Sequence, residues 1–160
     1  MRAGAHSDYG SITLLFRVPG QAGLEILTPA SGTWAPVPVT PPETESDPAP
    51  PVLVNIGDLL SFWTNGLLRS TVHRVAFAGG AEPWTEVDKG GPRYSIAYFC
   101  HPADATPLSP VPSQRVRRAG VSGDGTVLTA AEHLQTRLRA TYRHLSEKGG
   151  EEPVLGSAAG

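Results

Sequence analysis

The residues with the clearest chemical potential lie near the start of the chain, where one serine separates His6 from Asp8. Side chains two positions apart on a β-strand point to the same face, so an imidazole nitrogen and a carboxylate oxygen can meet at one point. A second histidine beside them would complete two histidines and one carboxylate, a donor set that suits non-haem Fe(II). A bare His-x-Asp motif is common by chance, so the hypothesis of a metal site depends on the rest of the chain.

Short β-strands are expected to position these residues, because runs of β-forming residues alternate with turn clusters over the first 100 positions. The chain contains 18 glycines and 16 prolines among 160 residues, a composition typical of an all-β domain with many turns. Polar loops are predicted over 40–51 and 79–92. The predicted strands or extended segments are 1–9, 11–17, 24–27, an edge strand over 34–39, 51–58 and 93–100.

A β-hairpin is predicted around Asn65-Gly66, which lies between the apolar runs 61–64 and 67–75. Both central residues of a type I′ turn need positive φ, and Asn-Gly supplies them most readily. This hairpin would carry His73 on its second arm. The following residues are predicted to form turns rather than to take part in chemistry: Asn55, Asp58, Asn65 and Gly66.

One long helix is predicted over 129–146, because Thr129 and Glu132 form a capping box and leucines recur on one helical stripe. We expect it to pack on the outside of the sheet. Its two histidines, His133 and His144, and the strand-end histidine His101 are expected at the surface. The aromatic residues expected in the core are Tyr9, Phe62, Trp63 and Phe99.

The overall composition limits the possible partners and the compartment. The formal net charge is −2 and the sequence pI is about 6.2, so no basic surface favours nucleic acid. No apolar run reaches the length of a membrane-spanning helix, and no membrane partner is expected. The single cysteine, Cys100, cannot form an internal disulfide, which indicates a reducing compartment, with the cytoplasm as the default.

Several motifs in a fixed order resemble the catalytic domain of the isopenicillin N synthase-like group of Fe(II)/2-oxoglutarate-dependent dioxygenases. The resemblance covers residues 1–102, and the capping-box helix resembles the C-terminal helix of that family. The motifs that carry it are His6-x-Asp8, Asn55-Ile56-Gly57-Asp58, Thr64-Asn65-Gly66, Ser70-Thr71-Val72-His73-Arg74-Val75 and Arg93-Tyr94-Ser95-Ile96-Ala97-Tyr98-Phe99.

The resemblance implies a mainly β fold, a double-stranded β-helix or jelly roll, incomplete at its N-terminal side and followed by an α-helix. It implies that His6, Asp8 and His73 are the three iron ligands. Arg93 and Ser95 would hold the distal carboxylate of 2-oxoglutarate, which agrees with the charge-assisted fork between a guanidinium and a carboxylate. The implied segments are a partial jelly-roll domain over 1–102, an irregular connection over 103–128, the helix over 129–146 and a flexible tail over 147–160.

The resemblance also implies the activity and its partners. The chain would couple oxidation of a small organic substrate by O₂ to oxidative decarboxylation of 2-oxoglutarate, with Fe(II) as the metal and ascorbate to maintain it. An alternative within the family is an iron oxidase that does not use 2-oxoglutarate. A jelly-roll metal hydrolase is a weaker alternative, because it gives Arg93 and Ser95 no role.

A departure from the family raises a further alternative. Family members carry a long N-terminal region before the His-x-Asp strand, and this region is missing here. The chain is therefore expected to be a C-terminal catalytic half. It would be either an inactive metal-binding remnant or a protein that needs the missing segment or a partner chain. An open sheet edge and an exposed apolar face are expected to favour aggregation.

Overall fold

The computed structural model describes residues 3–76, 92–119 and 127–149, and the side chains of these up to residue 142. Most of the loop predicted over 79–92, and the tail beyond residue 149, lie outside the described residues. The strands are β1 (Ala3–His6), β2 (Ile12–Arg17), β3 (Leu24–Leu27), β4 (Trp34–Pro36), β5 (Leu53–Ile56), β6 (His73–Val75) and β7 (Ser95–Cys100). The helices are α1 (Asp58–Trp63), α2 (Gln114–Ala119) and α3 (Ala130–Gly149).

The strands form two antiparallel sheets, in the orders β1-β6-β3-β4 and β5-β2-β7. We call them the histidine sheet and the β2 sheet. The strand expected at a sheet edge, around Trp34–Pro36, does lie at the edge of the histidine sheet, where proline costs no ladder bond inside the sheet. The expected mainly β architecture with a C-terminal helix is confirmed.

The β2 sheet has two chemically different faces, because side chains alternate along each strand. Thr13, Leu15 and Ser95 line a cavity between the two sheets. The opposite face is apolar and largely exposed: Ile96 is 70% exposed and Val54 is 57% exposed. We call this second side, formed by Val54, Phe16, Ile96 and Tyr98, the outer face. It matches the exposed apolar face expected from the sequence.

A small apolar cluster joins the helices to the connection that follows β7. Leu59 of α1, Leu108 and Ala130 of α3 are buried together, with Trp63 packed against them. The indole N–H of Trp63 donates to the carbonyl oxygen of Ser109 at 2.7 Å. The connection expected to be irregular over 103–128 thus includes a buried anchor and the short helix α2, whose Val116 is also buried.

The hairpin predicted around Asn65-Gly66 is wrong. Residues 58–63 form α1 instead, and the Asn-Gly pair ends that helix, with φ of 51° at Asn65 and 75° at Gly66. The amide of Gly66 donates to the carbonyl oxygen of Ser61 at 2.7 Å, and that of Asn65 donates to Phe62 at 3.0 Å. These bonds form a Schellman cap. Positive φ was therefore predicted correctly, but it serves a helix end rather than a β-turn.

The long helix begins as its capping box predicts. The backbone N–H of Thr129 donates to Oε2 of Glu132 at 2.8 Å, and the backbone N–H of Glu132 donates to Oγ1 of Thr129 at 3.2 Å. The bond from the backbone N–H of Thr129, and then the bond that its hydroxyl donates to the same Oε2 at 3.0 Å, lower the pKa of the Glu132 carboxyl. The helix runs to Gly149, slightly beyond its predicted end. No helix in the described ranges is long and apolar enough to cross a bilayer.

The environments predicted for several aromatic and histidine residues are wrong. His133 is only 6% exposed, because its ring packs against Phe62 of the unforeseen helix α1, with 5.2 Å between ring centroids. Phe62 and Phe99 were expected in the core but are 43% and 55% exposed. Phe99 lines the cavity instead. His101 is exposed, as expected, and the side chain of His144 lies outside the described set.

Candidate metal centre

Two neighbouring strands of the histidine sheet bring His6 and His73 together. The two residues are direct partners in the antiparallel ladder of β1 and β6, and their ring centroids lie 4.3 Å apart. Directly opposed side chains in such a ladder start from Cβ atoms about 5 Å apart, close enough to share a ligand. His73 is therefore positioned by the short strand β6, between β1 and β3, and not by a hairpin arm.

Asp8 lies beyond the end of β1, so the strand alternation that suggested its position does not explain it. Backbone bonds from the start of α1 hold this segment instead. The N–H of Asp58 donates to the carbonyl oxygen of Asp8 at 2.7 Å, and that of Gly57 donates to Ser11 at 2.8 Å. The turn that carries Asp8 is thus fixed against the Asn55-Ile56-Gly57-Asp58 motif.

Glycine is required at position 57 because a side chain would not fit there, and not because the backbone has a positive φ. A Cβ atom at this position would overlap the carbonyl oxygen of Gly10 and would lie 3.1 Å from the carbonyl oxygen of Asp8. Both neighbours are backbone atoms, which cannot move aside by changing a rotamer. The glycine therefore lets the two chain segments approach closely enough to position Asp8.

The carboxylate of Asp8 is buried, 8% exposed, and its two oxygens have different surroundings. Oδ2 accepts a hydrogen bond from Oγ1 of Thr13 at 2.6 Å and one from Nδ2 of Asn55 at 2.8 Å. Oδ1 faces the imidazoles, 3.9 Å from Nε2 of His6 and 3.6 Å from Nε2 of His73. Two donors from the β2 sheet thus fix the rotation of the carboxylate and leave one oxygen directed at the histidines.

The tautomers of both histidines suit ligation through Nε2. Nδ1 of His6 lies 2.7 Å from the carbonyl oxygen of Gly4, and Nδ1 of His73 lies 3.0 Å from that of Thr71. A carbonyl oxygen only accepts, so the proton of each neutral ring belongs on Nδ1. The Nε2 lone pairs then remain available and point toward Oδ1 of Asp8, an arrangement common for metal-binding histidines.

The donor set fits a divalent transition metal. Nε2 or Nδ1 of each histidine and a carboxylate oxygen of Asp8 all lie within 4.8 Å of one another. Two ligands at right angles on a metal, with bonds of about 2.1 Å, would lie about 3 Å apart, so small side-chain rotations close the site. Two imidazoles and one carboxylate that leave open positions are the set associated with non-haem Fe(II).

A cavity of about 280 Å³ lies between the two sheets and includes this centre in its wall. Arg93 and Ser95 also line it, so all five residues selected from the sequence meet at one cavity. Nε of Arg93 donates to the carbonyl oxygen of Ala22 at 2.8 Å. The remaining wall is mainly apolar and includes Leu15, Leu24, Ile26, Leu53, Val75 and Ala97.

Sequence reasoning missed the residues that hold Asp8. Asn55 was predicted as a turn-former but lies in β5, where its amide binds the carboxylate, and Thr13 was given no role. A usable signal existed, because each is a polar residue between two apolar neighbours in its strand, and buried polar groups are almost always hydrogen-bonded. A polar interruption of this kind therefore indicates an internal partner.

The C-terminal helix contacts the segment that carries the site. Oγ of Ser7 donates to Oδ2 of Asp58 at 3.0 Å, and the same oxygen lies 2.7 Å from Nη2 of Arg137 in α3. The hydroxyl groups of Tyr9 and Thr141 lie 2.6 Å apart. The residues on both sides of Asp8 are therefore tied to α3. Asp58, expected to form only a turn, is the centre of this link.

Comparisons with known proteins agree with this centre. Residues 1–102 match the family model of the 2OG-Fe(II) oxygenase superfamily. A UPF0676 protein of Schizosaccharomyces pombe is 42% identical over 151 residues, which are 92% of this chain and 40% of that protein. The 2-oxoglutarate-dependent dioxygenase gloF of Glarea lozoyensis is 37% identical over 143 residues, which are 89% of this chain and 40% of that protein.

A solved structure shares the fold. A full-length Neurospora crassa protein, crystallised in complex with alpha-KG and thymine, matches with a TM-score of 0.62 and 36% identity, over 88% of this chain and 38% of that chain. This likeness confirms the expected double-stranded β-helix, with sheets that are not closed in the described part of this chain. The chain spans about two-fifths of the length of these relatives. By the match over residues 1–102 and the shared fold, it belongs to the 2OG-Fe(II) oxygenase superfamily.

Proposed function

We propose that this chain carries the metal and co-substrate sites of an Fe(II)/2-oxoglutarate-dependent oxygenase that oxidises a small organic substrate with O₂. The proposal depends most on one observation: the donor atoms of His6, Asp8 and His73 converge at a cavity whose wall also includes Arg93 and Ser95. The order of the motifs supports membership of the isopenicillin N synthase-like subgroup, which is part of the proposal. The proposed segments are 1–102, 103–128, 129–146 and 147–160, with the helix of the third segment extending to Gly149.

In this proposal His6, Asp8 and His73 hold Fe(II), and the bound metal supplies the activation of O₂. The two neutral imidazoles add no charge, and the carboxylate of Asp8 adds one negative charge. The centre therefore keeps a net positive charge that favours an anionic 2-oxo acid beside it. Asp8 is held by Thr13 and Asn55, so its orientation is fixed before the metal binds.

Arg93 and Ser95 bind the distal carboxylate of 2-oxoglutarate in this proposal. A guanidinium offers a planar pair of donors to a carboxylate, and a serine hydroxyl adds one more. The mainly apolar wall of the same cavity suits the methylene chain of the co-substrate and limits the access of water. The related Neurospora crassa protein, whose solved structure contains alpha-KG, supports 2-oxoglutarate as the co-substrate. The proposal also includes ascorbate as the reductant that maintains Fe(II). The free thiol of Cys100 suggests a reducing compartment.

An anaerobic titration tests the proposal. Fe(II) and then 2-oxoglutarate are added to purified protein, and the weak visible metal-to-ligand charge-transfer band is recorded. The band should vanish in His73→Ala and weaken in Arg93→Ala. Matched controls are His101→Ala and Arg115→Ala, which change exposed residues away from the cavity. A folded wild-type protein that binds Fe(II) but gives no band would refute 2-oxoglutarate as co-substrate and favour an oxidase that does not use it.

A further inference from the structure

A second arginine lies beside the proposed carboxylate site. Arg17 is the last residue of β2 and is the direct ladder partner of Ser95 in β7. It follows Thr13 and Leu15 at alternate positions on the cavity side of β2. Its side chain is buried, only 7% exposed. Arg17 itself does not line the cavity; its buried side chain lies behind the wall formed by Thr13 and Leu15, next to the strand that carries Ser95.

The contacts of Arg17 within the described residues do not balance its charge. Nη1 donates to the carbonyl oxygen of Val37 at 3.2 Å, and Nη2 donates to that of Val39 at 3.5 Å. Nε is buried and has no hydrogen-bond partner. The ion pairs found in the described part of the chain include no carboxylate bound to Arg17. Two neutral carbonyl groups thus solvate a buried cation only partly.

The burial of a guanidinium without a counterion is energetically unfavourable. A guanidinium does not lose its proton in proteins, so it cannot become neutral when it is buried. A buried charge without a counterion is strongly unfavourable. Burial, and then the positive charge of Arg93, lower the pKa of Arg17. The two like charges repel each other, and an anion held by Arg93 and Ser95 in the cavity would relieve both costs.

We propose that Arg17 is a second cationic residue for the distal carboxylate of the 2-oxo acid, acting behind Arg93 and Ser95 to position it. This inference rests on the proposed function, because it requires a 2-oxo acid in the cavity. In the low-dielectric interior, the attraction between Arg17 and the carboxylate remains significant without direct contact. Arg17 therefore makes the site selective for 2-oxo dicarboxylates over 2-oxo monocarboxylates.

A purely structural role for Arg17 makes a different prediction. In that case the guanidinium only ties β2 to the segment after β4 through the carbonyl groups of Val37 and Val39. Its replacement would then weaken all ligands alike, through loss of folded protein. A selective effect on ligands that carry the distal carboxylate separates the two roles.

The experiment compares two ligands that differ only at that carboxylate. 2-Oxoglutarate and 2-oxopentanoate are titrated anaerobically into Fe(II)-loaded protein, and both dissociation constants are measured by calorimetry. Arg17→Gln removes the charge but keeps donors for the carbonyl groups, whereas Arg17→Lys keeps the charge. Arg115→Gln removes an exposed arginine in α2 and is the matched control.

The expected result is a selective loss. Arg17→Gln should raise the Kd for 2-oxoglutarate about tenfold, equal to about 1.4 kcal/mol, and change that for 2-oxopentanoate less than about twofold. Arg17→Lys and Arg115→Gln should keep the ratio of the two constants within about threefold of wild type. An unchanged ratio in Arg17→Gln would overturn the inference.

Two further outcomes are informative. If Arg17→Gln does not fold, Arg17→Lys decides. Equal dissociation constants for 2-oxoglutarate and 2-oxopentanoate in that variant, which keeps the charge, would refute an electrostatic role. If the wild-type protein binds Fe(II) but neither 2-oxo acid, the proposed function fails and the inference fails with it. The wild-type titration thus separates failure of the proposed function from failure of the role of Arg17.

Discussion

The side-chain amide of Asn55 donates a hydrogen bond of 2.8 Å to Oδ2 of Asp8, the carboxylate oxygen that faces away from the histidines. Thr13 donates to the same oxygen at 2.6 Å. Asn55 and Thr13 belong to the β2 sheet, whereas His6 and His73 belong to the histidine sheet. The candidate metal centre therefore lies where the two sheets meet, and its geometry depends on their relative position.

The first prediction concerns these two donors. Asn55→Ala and Thr13→Val each leave Oδ2 of Asp8 with one fewer partner, so the carboxylate rotates more freely before the metal binds. Removal of such a supporting group typically costs about 10–100-fold in metal affinity. Calorimetric titration of Fe(II) under anaerobic conditions measures the loss. Thr136→Val, which makes the same replacement on α3, is the control, and an equal effect there would contradict the prediction.

The second prediction concerns Gly57. In Gly57→Ala the new methyl group meets the backbone of Gly10 and Asp8, so the turn that carries Asp8 must shift. We expect a loss of unfolding free energy of about 3 kcal/mol or more, together with loss of metal binding. Urea unfolding and metal titration measure both. The control is Gly4→Ala, because a Cβ atom at Gly4 meets nothing within 4 Å, and this variant should keep its stability.

The residues of the candidate site could be selected from the sequence because they belong to short motifs with fixed side-chain chemistry. His6 and Asp8 are two positions apart, and Arg93 and Ser95 have the same spacing. The structure brings both pairs to one cavity, with His73 beside the first pair. Their assignment as ligands came from the family resemblance, since nothing in the local pattern of residues 67–75 identifies His73 as the third donor.

The predictions that are wrong concern residues whose structure is decided by tertiary packing and not by the local sequence pattern. Asn65-Gly66 satisfies a hairpin turn and a helix end equally well, and only the bonds to Ser61 and Phe62 decide between them. Because α1 was missed, its contact with His133 was missed too. The role of Asn55 depends on the distant Asp8, and a single sequence does not display such long-range pairs.

The third prediction concerns pH and His133. Burial, and then the charge of Arg137, lower the pKa of His133 below its usual value of 6.5 in spite of the opposing effect of Asp58. As the pH falls below 6.5, the unfolded chain binds a proton that the folded chain does not, so the folded state loses stability. Between pH 7.5 and 5.5, wild type should lose more unfolding free energy than His133→Leu. Parallel curves in metal-free urea unfolding would contradict this.

The fourth prediction concerns the outer face of the β2 sheet. Ile96 and Val54 are exposed on this face, where they form part of a continuous apolar surface. Ile96→Thr and Val54→Thr keep β-branched residues in the strands but remove apolar area. Both should reduce binding of the dye ANS and slow concentration-dependent light scattering. Val127→Thr changes an exposed valine just before α3 and should have a smaller effect.

The fifth prediction concerns the bond between Tyr9 and Thr141, which ties α3 to the residue next to Asp8. The two hydroxyl groups lie 2.6 Å apart in a half-buried position. Tyr9→Phe and Thr141→Val each remove one partner, and a typical net hydrogen bond contributes about 1 kcal/mol. If the bond stabilises the fold, the double variant should lose about 1 kcal/mol less than the sum of the two single losses. Urea unfolding of all four proteins gives this coupling energy. Strict additivity would show that α3 is held by its other contacts, among them the ion pair between Arg137 and Asp58.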